Sequence, residues 1–233
     1  ATGIGSIDST GSVNTDAGFS IISYTGTGSA ATVAHGLGVA PAMIIIKNRS
    51  TTNGWEVYHQ SIGNTKYLAL NVTDAALASA SRWNNTSPTS TVFTVNTENG
   101  VNKSGSNLIA YCFAEKQGYS KFGSYTGNGN ADGAFVYTGF KPAYVMIKLT
   151  SGAGEDWKIY DDKRLGYNAA NKSLAANTNV ADSNSNISID ILSSGFKNRN
   201  TSGALNSSGA TYIFMAFASN PFVTSTGVPA TAR

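Results

Sequence analysis

Short runs of branched and aromatic residues recur along the whole chain, separated by clusters of Gly, Asn, Ser and Pro. In the first half they are Phe19–Tyr24, Ala42–Lys47, Trp55–His59, Tyr67–Asn71, Thr91–Val95 and Leu108–Ala114. In the second half they are Ser120–Tyr125, Tyr144–Leu149, Trp157–Tyr160, Ile187–Leu192, Gly195–Asn198 and Thr211–Ala218. Such residues fit the pleated, half-buried surface of a sheet, and the clusters between them favour turns. The pattern predicts an all-β chain. The best helical candidate, Thr73–Arg82, has a Thr at its start and an Ala-rich body but little apolar periodicity, so a short helix or a loop is expected there. Its counterpart in the second half, Thr178–Asn186, is polar and Asn-rich and reads as a loop.

The two halves repeat one another. Gly18-Phe19-Ser20 returns as Gly118-Tyr119-Ser120, and Ser23-Tyr24-Thr25-Gly26-Thr27-Gly28 as Ser124-Tyr125-Thr126-Gly127-Asn128-Gly129. Pro41–Lys47 returns as Pro142–Lys148, Trp55–Tyr58 as Trp157–Tyr160, and Ser104–Ile109 as Ser208–Ile213. The offset drifts only from 100 to about 104 across blocks in the same order. A tandem duplication accounts for this, giving two β-sandwich-like repeats of about 100 residues packed together. The expected boundaries are an N-terminal arm or linker at 1–17, repeat 1 at 18–117, repeat 2 at 118–219 and an extended C-terminal tail at 220–233.

Two strands in each half do not alternate. Met43–Ile46 and Ile109–Phe113, like Tyr144–Ile147 and Tyr212–Phe217, are apolar at successive positions, so both faces should be covered. The other repeat, a loop or a second chain are the candidate covers; packing of the repeats as one body and an oligomer interface are both expected readings.

Composition narrows the class without naming an activity. Only 12% of the chain is charged and the formal net charge is +3. Ser, Thr and Asn together make up 75 of the 233 residues, so neutral hydroxyls and amides must wet the surface. At 41% hydrophobic, the chain can fill a sizeable core. The longest apolar run, near Val39–Ile46, is too short to span a membrane, and Ala1-Thr2-Gly3-Ile4 shows no signal-peptide pattern. No basic stripe points to nucleic acid. A single cysteine, Cys112, excludes an internal disulfide framework and a multi-cysteine zinc site.

No standard catalytic motif is present. Cys112 lies in the most apolar run and reads as a buried hydrophobe. Asn128–Gly133 has the alternating oxygens of a calcium loop but begins with Asn and has Gly139 at the twelfth place, which favours a plain turn. Glu155, Asp156, Asp161 and Asp162 bracket Trp157–Tyr160, and paired carboxylates are the equipment of glycoside hydrolysis. The first half offers Asn53, Gly54, His59 and Gln60 at those places, so the duplication lends the acids no support. Trp55, Trp83 and Trp157, with Tyr58 and Tyr160, are able to stack on sugar rings. Trp55 and Trp157 are equivalent in the repeat and read as core anchors, which leaves Trp83, within Arg82–Thr86, as the expected exposed contact. The candidate ligand contacts are therefore Trp83, Arg82, Tyr58, His59, Tyr160 and Asp161. No catalytic residue, metal ligand or cofactor is assigned.

The chain resembles a duplicated β-domain family of tailed-bacteriophage virion structural proteins, frequent in marine phages. The resemblance rests on His35–Gly38 followed by Pro41–Lys47, on Trp55–His59, Ser87–Val95, Ile109–Ala114 and Gly118–Gly129, and on the ending Gly227–Arg233. It covers roughly 18–233. It implies a virion component on the tail or the head surface, whose partners are other virion proteins and copies of itself. The expectation is a non-enzymatic tail-fibre or host-recognition protein binding host surface polysaccharide, without membrane insertion or nucleic acid. A capsid decoration (cement) protein and a carbohydrate-active enzyme are the alternatives.

Overall fold

The computed structural model describes residues 3–164, 168 and 170–220. It is all-β, with several sheets and only two four-residue helical turns among the described residues. The chain divides into two units. Unit 1 takes in the described residues up to Leu70 together with Ala76–Glu115, and unit 2 takes Asn71–Ala75 and the described residues from Lys116 onward.

Unit 1 contains β1 (Ser9–Asn14), β2 (Phe19–Thr25), β3 (Ala31–Ala34), β4 (Met43–Asn48), β5 (Trp55–His59), β6 (Lys66–Ala69), β7 (Leu77–Ala78), α1 (Ala80–Trp83), β8 (Val92–Val95), α2 (Asn99–Asn102) and β9 (Asn107–Phe113). Seven strands form one sheet in the order β1-β2-β9-β4-β5-β6-β7, and β3 and β8 form a separate pair. The registers Ile22↔Ala110, Tyr24↔Leu108, Ile44↔Cys112 and Ile46↔Ala110 bring every second side chain of β2, β9 and β4 onto one face. Val33, Phe93 and Val95 of the β3–β8 pair join the same core, with the Tyr24 and Phe93 rings edge to face at 6.1 Å. Each such side chain contributes roughly 1.5–3 kcal/mol by leaving water.

Unit 2 contains β10 (Ser120–Thr126), β11 (Phe135–Tyr137), β12 (Pro142–Leu149), β13 (Lys158–Asp161), β14 (Ala170–Ala175), β15 (Ser183–Leu192), β16 (Gly195–Asn198) and β17 (Thr211–Ala218). They form one eight-stranded sheet in the order β10-β17-β12-β13-β14-β15-β16-β11. Tyr125 on β10 stacks on Tyr212 of β17 at 5.0 Å and meets Phe196 of β16 edge to face at 6.0 Å. Strands far apart in the sheet order thus face each other, and the sheet is nearly closed around its own core. Lys148 Nζ, fully buried, donates to the carbonyls of Thr73 (2.9 Å) and Glu155 (2.6 Å), which fastens Asn71–Ala75 into this unit.

Two of the non-alternating runs are buried at successive positions, while Ile109, Tyr111 and Phe113 of β9 and Tyr144 of β12 are only half-buried. Met43, Ile44, Ile45 and Ile46 are all buried, as are Tyr212 through Ala216. Two expectations need correction, on residues 1–17 and on 178–186. Residues 1–17 are not simply an arm or linker: β1 pairs along its whole length with β2, and Ile7 is buried and bridges Val33. Backbone pairing, rather than apolar burial, makes β1 a strand, since five of its six side chains are exposed. The span 178–186 is a loop only at its start, because β15 begins at Ser183. Within Thr73–Arg82 the helix is confined to one turn from Ala80, preceded by the short β7. The proposed tail at 220–233 lies, beyond residue 220, outside the described residues.

Candidate functional site

Four of the residues singled out from sequence lie in unit 1, and all four are largely shut off from solvent. α1 ends at Asn84 and Asn85, both left-handed (φ 51° and 49°), and this reversal turns the Trp83 indole inward. Trp83 is 2% exposed, donates from Nε1 to the Lys66 carbonyl at 3.0 Å and meets Tyr58 edge to face at 5.9 Å. The expectation of an exposed Trp83 is thus overturned. Arg82 donates from Nε to Glu56 Oε2 at 2.6 Å and from Nη1 to Ser79 Oγ at 3.0 Å, with its guanidinium carbon 3.3 Å from the Tyr67 ring centroid. Tyr58 and His59 are buried, and His59 Nδ1 accepts the Ser61 amide at 3.2 Å. This constellation is a partly desolvated ion pair and an aromatic packing cluster without an open face.

Three of the four acids singled out in unit 2, Asp156, Asp161 and Asp162, are likewise engaged internally. Asp161 Oδ1 accepts the amides of Lys163 and Arg164, and Oδ2 accepts Arg164 Nε at 2.7 Å, which caps the turn after β13. Asp156 accepts Asn177 Nδ2 at 2.8 Å and Lys158 Nζ at 3.0 Å. The Asn177 hydrogen bond, more than the lysine, holds its carboxyl below the ordinary range, the opposite of what a general acid requires. Asp162 accepts Ser219 Oγ at 2.9 Å. Tyr160 is wholly buried in the unit 2 core, and burial pushes its hydroxyl well above the usual tyrosine range.

The remaining candidates resolve as structure. In the Asn128–Gly133 turn, Asn128 Oδ1 accepts the Asn130 amide and Asn130 Oδ1 accepts the Asp132 amide, so the oxygens close the turn on itself. Among the described residues no group of three or more His, Cys, Asp and Glu is placed to hold a metal ion. Cys112 is buried, and burial pushes its thiol up to about 12. His35 Nδ1 accepts the Leu37 amide, and burial lowers its pKa below the ordinary histidine value.

One open aromatic surface was missed by sequence reading. On the edge strand β11, Val136 points into the core while Phe135 (48% exposed) and Tyr137 (66% exposed) point out. The Phe135 ring reaches over Gly195, where a Cβ would stand 3.2 Å from its Cε2. The Tyr137 ring lies against Gly139, where a Cβ would stand 3.6 Å from Oη. Beside them Lys197, the cross-strand partner of Phe135, binds Asp132 at 2.6 Å, and Arg199 binds Asp132 at 3.1 Å and Asp190 at 3.3 Å. The signal was present in sequence as an aromatic-Val-aromatic triplet between Gly133 and Gly139.

No curated protein and no solved structure matches this chain. One family model does, a domain of unknown function, over residues 1–221.

Proposed function

The chain belongs to that family, DUF7483, and we propose that it is a non-enzymatic surface protein of a tailed-phage particle, a tail-associated component that binds host glycans. The observation that carries the binding part is the outward aromatic pair Phe135 and Tyr137 on the edge strand β11, flanked by paired charges. The virion part rests on the sequence resemblance, from His35–Gly38 through Gly118–Gly129. The internal pairing of Asp156, Asp161 and Asp162 disfavours the hydrolase alternative.

In this reading the two units are copies of one module. Both carry the same hydrogen bonds at the repeated positions. Tyr24 Oη donates to the Val101 carbonyl (2.6 Å) and Tyr125 Oη to the Leu205 carbonyl (2.8 Å). The amides of Gly26, Gly28 and Gly105 donate to Ser106, Asn102 and Gly26; those of Gly127, Gly129 and Gly209 donate to Ala210, Asn206 and Gly127. A buried asparagine completes each set: Asn102 Oδ1 accepts the Thr27 amide, and Asn206 Oδ1 accepts the Asn128 amide. The cement alternative drew on two-faced apolar strands and terminal arms. Met43–Ile46 and Tyr212–Ala216 are covered within the chain and β1 is folded onto β2, which favours the tail reading over the cement one.

Imaging particles labelled with an antibody to this chain tests the assignment. Label on the tail, with reduced host adsorption when the antibody is bound, is the expected result. Label on the head transfers the chain to the cement reading, and unlabelled particles end the virion assignment.

A further inference from the structure

We propose that the outer face of β11 and β16 in unit 2 is a binding platform for an uncharged oligosaccharide, centred on Tyr137 and Phe135; this rests on the glycan-binding reading above. Three features of the fold argue for it.

First, the rings are held rather than merely exposed. Residues two apart on a strand lie on one face, about 6.7 Å apart. Gly195 and Gly139 provide the beds on which the two rings lie. A side chain at Gly195 would clash with the Val136 carbonyl and crowd the Phe135 ring, and Gly139, in contact with the Tyr137 ring, needs its left-handed backbone (φ 84°). The C–H faces of a pyranose pack on ring faces of this kind, since the aromatic face is electron-rich and the C–H edge is not.

Second, the charges beside the rings cancel. Lys197 and Arg199 are both occupied by Asp132, and Arg199 also by Asp190. Burial apart, the lysine hydrogen bond and charge hold the Asp132 carboxyl below its ordinary range, so the strip stays paired across neutral pH. Two cations and two anions side by side present donors and acceptors with no net field. That suits sugar hydroxyls, which donate and accept, and gives no advantage to a carboxylated or sulfated chain.

Third, the matching place in unit 1 is filled. There β3 carries Thr32 and Ala34 in place of aromatics, and the segment before β1 lies on it: the Ile7 amide donates to the Thr32 carbonyl at 3.0 Å, and Ser6 and Thr32 exchange amide-to-hydroxyl bonds at 2.8–2.9 Å. β11 is an edge strand of only three residues, too short to offer more than a few ladder bonds to an added peptide strand. Rings plus a short edge favour a sugar over a strand, and the two units then carry one such platform between them.

The test uses the full chain with four probes: neutral linear oligosaccharides of glucose and N-acetylglucosamine, purified host-surface polysaccharide, oligogalacturonate, and the peptide Gly-Ser-Ile-Asp-Ser copied from residues 5–9. Ring-proton NMR of the wild type is expected to shift Phe135 and Tyr137 on adding neutral sugar. Tyr137→Ala and Phe135→Ala should each weaken binding by about ten-fold or more, equivalent to one stacking contact. Both positions are exposed, and an unchanged amide spectrum outside β11 and β16 verifies the fold of each variant. Neutral-sugar binding that both variants retain at wild-type strength overturns the platform while leaving the glycan-binding reading intact. Failure of the wild type to bind any glycan probe overturns both. Preference for oligogalacturonate that is lost in Lys197→Gln overturns the uncharged-ligand assignment, and peptide binding in place of sugar binding replaces the platform with strand addition.

Discussion

Replacing Asn206 by alanine removes a side chain that closes one end of unit 2. Asn206 is fully buried; its Nδ2 donates to Asn128 Oδ1 (2.8 Å), the Asn130 carbonyl (2.8 Å) and the Asn200 carbonyl (2.9 Å), and its Oδ1 accepts the Asn128 amide (2.9 Å). Asn128 and Asn130 are exposed, so water can take over their groups after truncation, and each bond then costs about 0.5–1.5 kcal/mol. Asn200 is buried, and its stranded carbonyl costs about 1–3 kcal/mol more. These terms sum to about 2.5–7.5 kcal/mol, and since single-substitution losses above about 4–5 kcal/mol are exceptional, the expected loss is about 3–5 kcal/mol. Asn102, at the same place in unit 1, accepts the Thr27 amide (2.8 Å) and donates to the Ser29 carbonyl (2.6 Å), and both partners are exposed. Asn102→Ala should therefore cost only about 1–3 kcal/mol. Urea unfolding read by hydrogen exchange reports each unit through its own glycine amides: Gly26 and Gly28 for unit 1, Gly127 and Gly129 for unit 2. With a urea slope of about 2 kcal/mol/M, Asn206→Ala should move the unit 2 midpoint down by about 2 M. Equal costs for the two variants, or an Asn206→Ala loss under about 1 kcal/mol, would refute this reasoning.

Three more outcomes are expected. Burial pushes the Lys148 ammonium down to about 8, so the unfolded chain holds that proton to higher pH and this group by itself favours folding more as pH climbs from about 8 towards 10.4, while Cys112, pushed up to about 12, acts in the opposite sense over the same range; the melting temperature should therefore fall more steeply with pH in Lys148→Met than in the wild type, and parallel curves would contradict the shift. Arg82→Met strands Glu56 in a buried position and should cost about 3–5 kcal/mol, with much of the loss recovered in the Arg82→Met/Glu56→Gln double variant, as measured by denaturant midpoints. Cys112 should resist iodoacetamide in the native protein at pH 8 and react only at the rate of unfolding; rapid native alkylation read by mass spectrometry would contradict its burial.

The strands that announce themselves in sequence are those whose side chains carry the core. Trp55–His59, Gly195–Asn198 and Thr211–Ala218 coincide with β5, β16 and β17 because branched and aromatic residues mark both their extent and their burial. β1 and β14 are nearly silent: Ser9–Asn14 and Ala170–Ala175 are held by backbone pairing with β2, β13 and β15, and pairing leaves no hydrophobic signature. The same limit governs the site. Trp83 sits among Arg82, Asn84 and Asn85 and looks solvent-facing, yet two left-handed asparagines turn the chain so that the indole enters the core. Phe135 and Tyr137 carry no mark of exposure in the sequence; they face water because β11 lies at a sheet edge with Val136 taking the inward position. Which aromatic faces water depends on the partner strand, and the local sequence does not encode that.

A single incubation tests binding and the absence of catalysis together. Purified host-surface polysaccharide is mixed with the full chain and resolved by size-exclusion chromatography, with reducing ends assayed in the same fractions. Co-elution of the chain with polysaccharide of unchanged length is the outcome expected here. Polysaccharide that shortens and gains reducing ends, or that elutes free of the chain, would contradict the account.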